Sequence, residues 1–277
     1  MHAVPVGAAD TEYGLGADDP VVMASVYKLP VLVTFCRLVD AGEIDPLEPV
    51  VLAPGGRTPG PTGVSQFLDE VRLSMRDAVR SMTAVSDNAA ADEVLRRLGV
   101  DRVNATMREL GLTVTTVLGG TAQILQTLVT DTETDSPAAA FAALGDNDAI
   151  VYPTGYDPVL SSATTARDMT ALLSRVWSGA AASAEQTAFM RAVLSSQVFT
   201  ARLRSGFPYA DVVVAGKTGT LGAVRNEVGV IEFPDGAAFA VAVFTRAARA
   251  DPLLPAADAA IGQAARAAIA DLRRRGN

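Results

Sequence analysis

The sequence has one histidine, His2, one cysteine, Cys36, and two lysines, Lys28 and Lys217, in 277 residues. Each scarcity removes chemistry. With one histidine at the extreme N-terminus, a Ser-His-Asp triad would have to recruit a residue from a segment that usually frays. A multi-histidine zinc or iron site is excluded. One cysteine permits no internal disulfide and no multi-cysteine metal site; Cys36 lies in the apolar run 31–39 and reads as core. Neither a metal nor any other cofactor is expected. No apolar run approaches the roughly 18 residues that span a membrane, so no membrane partner is expected. The first residues show no basic stretch leading into an apolar core, so no signal peptide is visible. The expectation is a cytoplasmic protein, or a secreted or periplasmic one whose export segment is absent from this chain. Aromatic residues make up 5% and the net charge is −8. An acidic balance argues against a nucleic-acid partner, which favours a basic face.

What remains is an Ala-, Val- and Leu-rich chain, long enough for one large domain or two interleaved subdomains. Of 23 basic residues, all but Lys28 and Lys217 are arginine. Arginine stays protonated in a protein, whereas a desolvated lysine can become a neutral base. The two retained lysines stand in Ser25-Val26-Tyr27-Lys28 and Lys217-Thr218-Gly219-Thr220, with Ser86-Asp87-Asn88 between them. Singly each is weak; together they are far more specific. Ser25 precedes an apolar helical stretch. Residues three apart share a helix face, which places the Lys28 amine beside the Ser25 hydroxyl. The positive end of the helix dipole favours an alkoxide there.

Patterning predicts short strands at 4–10 and 21–24 and a helix from about Ser25 to Ala41. Helices follow after Ser74, over 89–98, over 101–110, after Thr165 and after Ser183. Ser74, Thr165 and Ser183 cap three of these helices, and Gly42, Gly99, Gly111 and Gly179 close four. Residues 112–163 are hard to read: 121–129 has helical character and 131–137 reads as a loop. The texture then changes to a buried strand over 211–219, a hairpin around Pro234-Asp235-Gly236, and a final helix over 256–275. Sheet elements thus lie at both ends of the chain. The expected organisation is a sheet subdomain from 1–24 and 197–277, an all-helical subdomain from 25–196, and a cleft at the seam.

In order and spacing, Ser25-x-x-Lys28, Ser86-Asp87-Asn88 and Lys217-Thr218-Gly219 resemble the three motifs of class A β-lactamases and penicillin-binding proteins. The similarity extends over nearly the whole chain. It includes Thr164-Thr165 before a helix and Arg225-Asn226-Glu227 on the strand after Lys217. The resemblance implies an α/β (α+β) fold, an antiparallel sheet flanked by helices plus an all-helical subdomain. It implies that Ser25 attacks an acyl carbon, Lys28 takes its proton, and Ser86 passes a proton to the leaving nitrogen. It further implies an oxyanion hole from the N–H groups of Ser25 and Thr220. Asn88 would hold the substrate amide and Lys28, while Lys217, Thr218, Gly219, Thr220 and Arg225 would meet a substrate carboxylate.

One part of the family pattern is absent. Class A enzymes carry Glu-x-x-Leu-Asn ahead of the helix that Thr165 caps here, and its glutamate activates the deacylating water. Asp148 and Asp157 are the nearest candidates for that role, although Asp157-Pro158 also reads as an ordinary turn. Without a base for water, acylation survives and deacylation slows. The expected substrate is a small molecule with a carboxylate, a β-lactam or a peptide-like amide, and a monomer is the expected state. Hydrolysis of β-lactams leads; an esterase, amidase, transacylase or D,D-peptidase, or a penicillin-binding sensor that stays acylated, stands as the alternative.

Overall fold

The computed structural model describes residues 1–7, 11–146 and 152–275. Its centre is α1 (Lys28–Asp40), with ten of thirteen residues buried. A helix apolar on every side has no face to offer water and becomes the middle of the molecule. Pro30 sits in its first turn, where a missing N–H costs least.

Around α1 pack α2 (Met75–Ala84), α3 (Asn88–Leu98), α4 (Val100–Glu109) and α8 (Ala184–Ser195). Their buried faces, with Val79, Met82, Val94, Met107 and Leu194, join Leu32, Phe35 and Cys36 in one core. Ser74, Asp87, Thr165 and Ser183 each accept a backbone N–H at a helix start, so these turns have the local cause the sequence suggested.

The main sheet has five antiparallel strands in the order β2 (Tyr13–Gly14), β1 (His2–Pro5), β9 (Ala238–Arg246), β8 (Val224–Glu232), β7 (Val213–Leu221). Both chain ends therefore meet in one sheet. One face packs on α7 (Ala166–Ser178), the other on α10 (Pro255–Arg275). Ile261, Ala265, Ile269 and Leu272 of α10 join Ile231, Phe239 and Val241 in a second core. Burial on both faces makes β8 read as a nearly continuous buried run. Two short pairs complete the strands: β3 (Val21–Val22) with β6 (Ala163–Thr164), and β4 (Pro49–Leu52) with β5 (Val71–Ser74).

The segment 25–196, expected to be all-helical, also holds β4, β5 and β6, and two other stretches differ from the sequence reading. The first strand ends at Pro5, and residues 8–10 lie outside the described residues. The stretch read as a loop up to Pro137 leads into a helix, α6 (Pro137–Gly145), which follows α5 (Thr121–Asp131). Proline at the first helical position and the Ser136 cap start α6. Its alanine-rich face gives no period to read, since alanine suits both sides of a helix.

Candidate active site

Ser25 lies on a turn of 3-10 helix, Ala24–Tyr27, that runs directly into α1. Ala24 before it has φ +46° and is buried. A non-glycine residue in the left-handed region is held there by its surroundings. The restraint is visible: Asn226 Nδ2 on β8 donates to Val22 O at 2.9 Å and Met23 O at 3.3 Å. Strand β7 presses on the same turn. A Cβ at Gly219 would stand 2.5 Å from Met23 O and 3.2 Å from Val26 N, so only glycine lets the strand come this close.

Lys28, one turn on, is fully buried. Its amine donates to Ser86 O at 2.7 Å, Asn88 Oδ1 at 2.9 Å and Ser86 Oγ at 3.3 Å. Burial pushes its pKa down to about 7, against the pull of Asp92 and Asp87. Among the described residues the Ser25 hydroxyl makes no side-chain hydrogen bond, and it lines the cleft. An ammonium supplies three donors and a neutral amine two plus a lone pair. The two short bonds suffice for the neutral form, and its lone pair is then free.

Ser86 sits in the bend between α2 and α3 with φ +59°. Asp87 fixes that bend: its buried carboxylate accepts Val64 N at 2.7 Å, Ser81 Oγ at 2.7 Å, Ser65 Oγ at 3.1 Å and Ala90 N at 3.2 Å. Lys217, fully buried on β7, donates to Ser86 Oγ at 2.9 Å and Thr218 O at 2.7 Å. Its pKa is lowered by burial and then by the charge of Lys28. One hydroxyl thus lies within reach of both lysines, accepting from Lys217 and, when Lys28 is protonated, from Lys28 as well, with its own hydrogen left to donate. Asn88 is oriented by Lys28 on Oδ1 and by Pro59 O, which accepts from Nδ2 at 2.9 Å.

β7 is an edge strand, with its outer side facing the cleft. Thr218 N–H points outward, because it donates to Gln197 Oε1 at 2.7 Å. Backbone direction alternates along a strand, so Thr220 N–H points the same way. The cleft has a volume near 770 Å³. Ser25, Ser86, Asn88, Thr218 and Thr220 line it, opposite a wall of Ile124, Leu125, Pro137, Ala138 and Phe141 from α5 and α6.

The remaining expected residues lie elsewhere. Arg225 pairs with Thr220 across β7 and β8 but is not in the cleft lining. Its buried guanidinium is occupied by Gly222 O, Val224 O and Asp251 O. Asp157 is exposed and accepts Val159 N at 2.8 Å within its own turn. Asp148 lies outside the described residues. His2 pairs with Ala242 in the sheet and bonds Thr170 Oγ1 at 2.6 Å.

Two cleft residues carried no signal in the sequence. Arg202, just before the short helix α9 (Leu203–Gly206), lines the cleft. It donates to Thr220 Oγ1 at 2.7 Å, Gly219 O at 2.9 Å, Asn226 O at 2.7 Å and Asp258 Oδ1 at 2.7 Å. Thr121 opens α5, and its hydroxyl lies 2.9 Å from Tyr27 Oη and 3.5 Å from Asn88 Oδ1. Asp92 fixes it there by accepting Thr121 N at 2.6 Å and Ala122 N at 2.7 Å. Neither residue belongs to a spaced motif. Asp258, bound to Arg202, is the one carboxylate among the described residues lining the cleft.

Comparison with known proteins places the fold. The β-lactamase regulatory protein BlaB of Streptomyces cacaoi is 30% identical over 270 residues, spanning 92% of this chain and 86% of that protein. A β-lactamase structure from Sphaerobacter thermophilus superposes with a TM-score of 0.76 at 27% identity, covering 97% of this chain and 89% of that one. A mutant of PBP-A, as its acyl-enzyme with penicillin G, shares the fold with a TM-score of 0.76 at 18% identity, over 98% and 89% of the two chains. Residues 7–272 match the β-lactamase enzyme family as a whole, and the chain belongs to that family.

Proposed function

We propose that the protein takes the acyl group of a β-lactam, or of a related amide bearing a carboxylate, onto Ser25 and releases it slowly. It then acts as a penicillin-binding or acyl-holding protein rather than a fast β-lactamase. The observation that carries this reading is an acylation apparatus facing a cleft in which, among the described residues, the one lining carboxylate, Asp258, is already bound to Arg202.

The step runs as follows. Neutral Lys28 takes the proton of Ser25 as Oγ attacks the carbonyl carbon, a contribution of roughly 10²- to 10⁴-fold. The N–H groups of Ser25 and Thr220 receive the developing oxyanion, each worth roughly 10²- to 10³-fold. The C–N bond breaks as Ser86 Oγ gives its proton to the leaving nitrogen, and Lys28, now carrying the Ser25 proton, re-protonates Ser86. Thr218, Thr220 and Arg202 meet the substrate carboxylate, and Lys217 adds charge behind them. The cleft sits at the seam between the sheet segments 1–24 and 197–277 and the helical segment 25–196.

Release needs an activated water. Where it would have to approach from α5, the polar group is Thr121, whose hydroxyl is no base at neutral pH. Asp258 is tied to Arg202. The regulatory role in the name of the Streptomyces relative fits a protein that stays acylated. The test is intact mass and absorbance after mixing with excess penicillin G or a chromogenic cephalosporin, with Ser25→Ala as control. A stoichiometric adduct on Ser25 persisting for minutes, without matching turnover, is expected. Rapid turnover would return the protein to the β-lactamases. Neither adduct nor turnover would refute the β-lactam reading.

A further inference from the structure

Glu227 is the one carboxyl group on β8 that is fully buried, at 1% exposure, and the chemistry above makes no use of it. Its hydrogen bonds have a direction. Thr218 N–H donates to Gln197 Oε1 at 2.7 Å. Gln197 Nε2 donates to Glu227 Oε1 at 2.7 Å. From the other side Leu203 N–H donates to Glu227 Oε2 at 2.6 Å. The chain of bonds begins at a backbone donor at each end, so the group between them must accept twice and donate nothing. An ionised carboxylate does that with two full acceptors; a protonated acid weakens one of them by making it a hydroxyl, and an amide replaces one with an N–H set against an N–H. Flipping Gln197 gives no relief, since its amide would then face Thr218 N–H with a second donor.

Gln197 and Leu203 bracket residues 198–202, which form one wall of the cleft and end in Arg202. Between the two fastenings the backbone is also tied by Val198 N to Ala84 O at 3.1 Å and, at its far end, by Ser205 N to Arg202 O at 2.9 Å. We propose that Glu227 is a positioning residue whose carboxylate clasps both ends of the 198–202 wall to the strand carrying Lys217 and Thr218, keeping Arg202 and Thr218 in their substrate-binding places only while ionised. The proposal rests on the reading of the cleft as a site for a carboxylate-bearing acyl donor. The charged groups facing Glu227 are Arg202, from the wall, and Lys217, from β7. Burial outweighs both and raises the carboxyl to about 7. The clasp therefore opens within the physiological range.

Electrostatics alone predicts the reverse pH trend. As pH falls, Glu227 loses a negative charge and Lys28 gains a positive one, so an anionic ligand should bind more tightly. The clasp predicts weaker binding. The experiment measures penicillin G affinity of the Ser25→Ala protein by calorimetry at pH 6 and pH 8, with and without Glu227→Gln. It also measures hydrogen exchange of the peptide spanning 198–203, corrected for intrinsic rates. If only the ionised form binds, affinity falls about tenfold from pH 8 to pH 6, as the ionised fraction does. Protection of Leu203 falls with it. Glu227→Gln is weak at both values, with protection low throughout. Affinity that rises toward pH 6, or protection that neither pH nor the substitution changes, overturns the proposal. Should Glu227→Gln not fold, the two pH series on native Glu227 still decide. Absence of penicillin binding and of a Ser25 adduct would sink the acyl-donor reading, while hydrogen exchange would still test the clasp.

Discussion

Replacing Lys28 by methionine is the sharpest test of the acylation step. The side chain is similar in length, so packing against the fully buried site is kept. What is lost is the amine that Ser86 O and Asn88 Oδ1 hold at 2.7 and 2.9 Å. Ser86 O loses a partner and Asn88 Oδ1 keeps only the long contact to Thr121, and a buried acceptor left unpartnered costs about 1–3 kcal/mol. Removing a desolvated ammonium offsets part of that, so the variant should fold with a modestly lower melting temperature. The kinetic effect is much larger. With a pKa near 7, the neutral fraction of Lys28 rises about tenfold between pH 6 and pH 8, and the wild-type acylation rate should rise with it. At saturating penicillin G, where the Glu227 effect on affinity no longer enters, the substitution should slow acylation by roughly 10²- to 10⁴-fold and abolish that dependence. The assay is quenched mixing with excess penicillin G between pH 5.5 and 8.5, with the Ser25 adduct counted by intact mass. Acylation that is flat with pH in the wild type, or within tenfold of wild type in the variant, would refute the assignment of Lys28 as the base.

Two further substitutions probe the walls of the cleft. Gly219→Ala places a methyl group against Met23 O, forcing β7 away from the Ser25 turn and opening the gap between the two oxyanion donors; acylation should drop by at least about 10²-fold while circular dichroism stays native, and a rate within threefold of wild type would show that the close approach is not needed. Arg202→Ala removes a cation bound to Thr220 Oγ1 at 2.7 Å. A lost charge-assisted bond of about 1.5–3 kcal/mol corresponds to roughly a 10- to 100-fold weaker acylation efficiency for a penicillin acid. Its neutral methyl ester should change little, and equal losses for acid and ester would remove Arg202 from carboxylate recognition.

The parts of the site legible in the sequence are those whose chemistry is carried by local spacing. Ser25 and Lys28 share one helical turn, and Ser86, Asp87 and Asn88 share one bend. Lys217 to Thr220 form one stretch of strand. Each keeps a recognisable form because three or four neighbouring residues must act from one backbone geometry. All three pieces meet at one atom, Ser86 Oγ, at 3.3 Å from Lys28 and 2.9 Å from Lys217. The capped helices and the two-ended sheet were legible for the same reason: caps and alternation are local. α6 was not, since a run of alanine and phenylalanine after Pro137 has no distinct apolar face.

Arg202, Thr121 and Glu227 were illegible for a different reason. Their meaning depends on partners far off in the chain: Arg202 on Asn226 and Asp258, Thr121 on Tyr27 and Asp92, Glu227 on Gln197 and Leu203. Arg225 shows the converse. By its resemblance to the family pattern it reads as a cleft cation, yet its guanidinium is spent on backbone carbonyls. The cation in the cleft comes instead from residue 202, and both arginines reach the same carboxylate, Asp258, at 2.7 and 3.8 Å. A positive charge at that corner can thus be supplied from either of two chain positions. Local motifs fix which reaction the cleft can start. Long-range contacts fix what it holds, for how long, and at what pH.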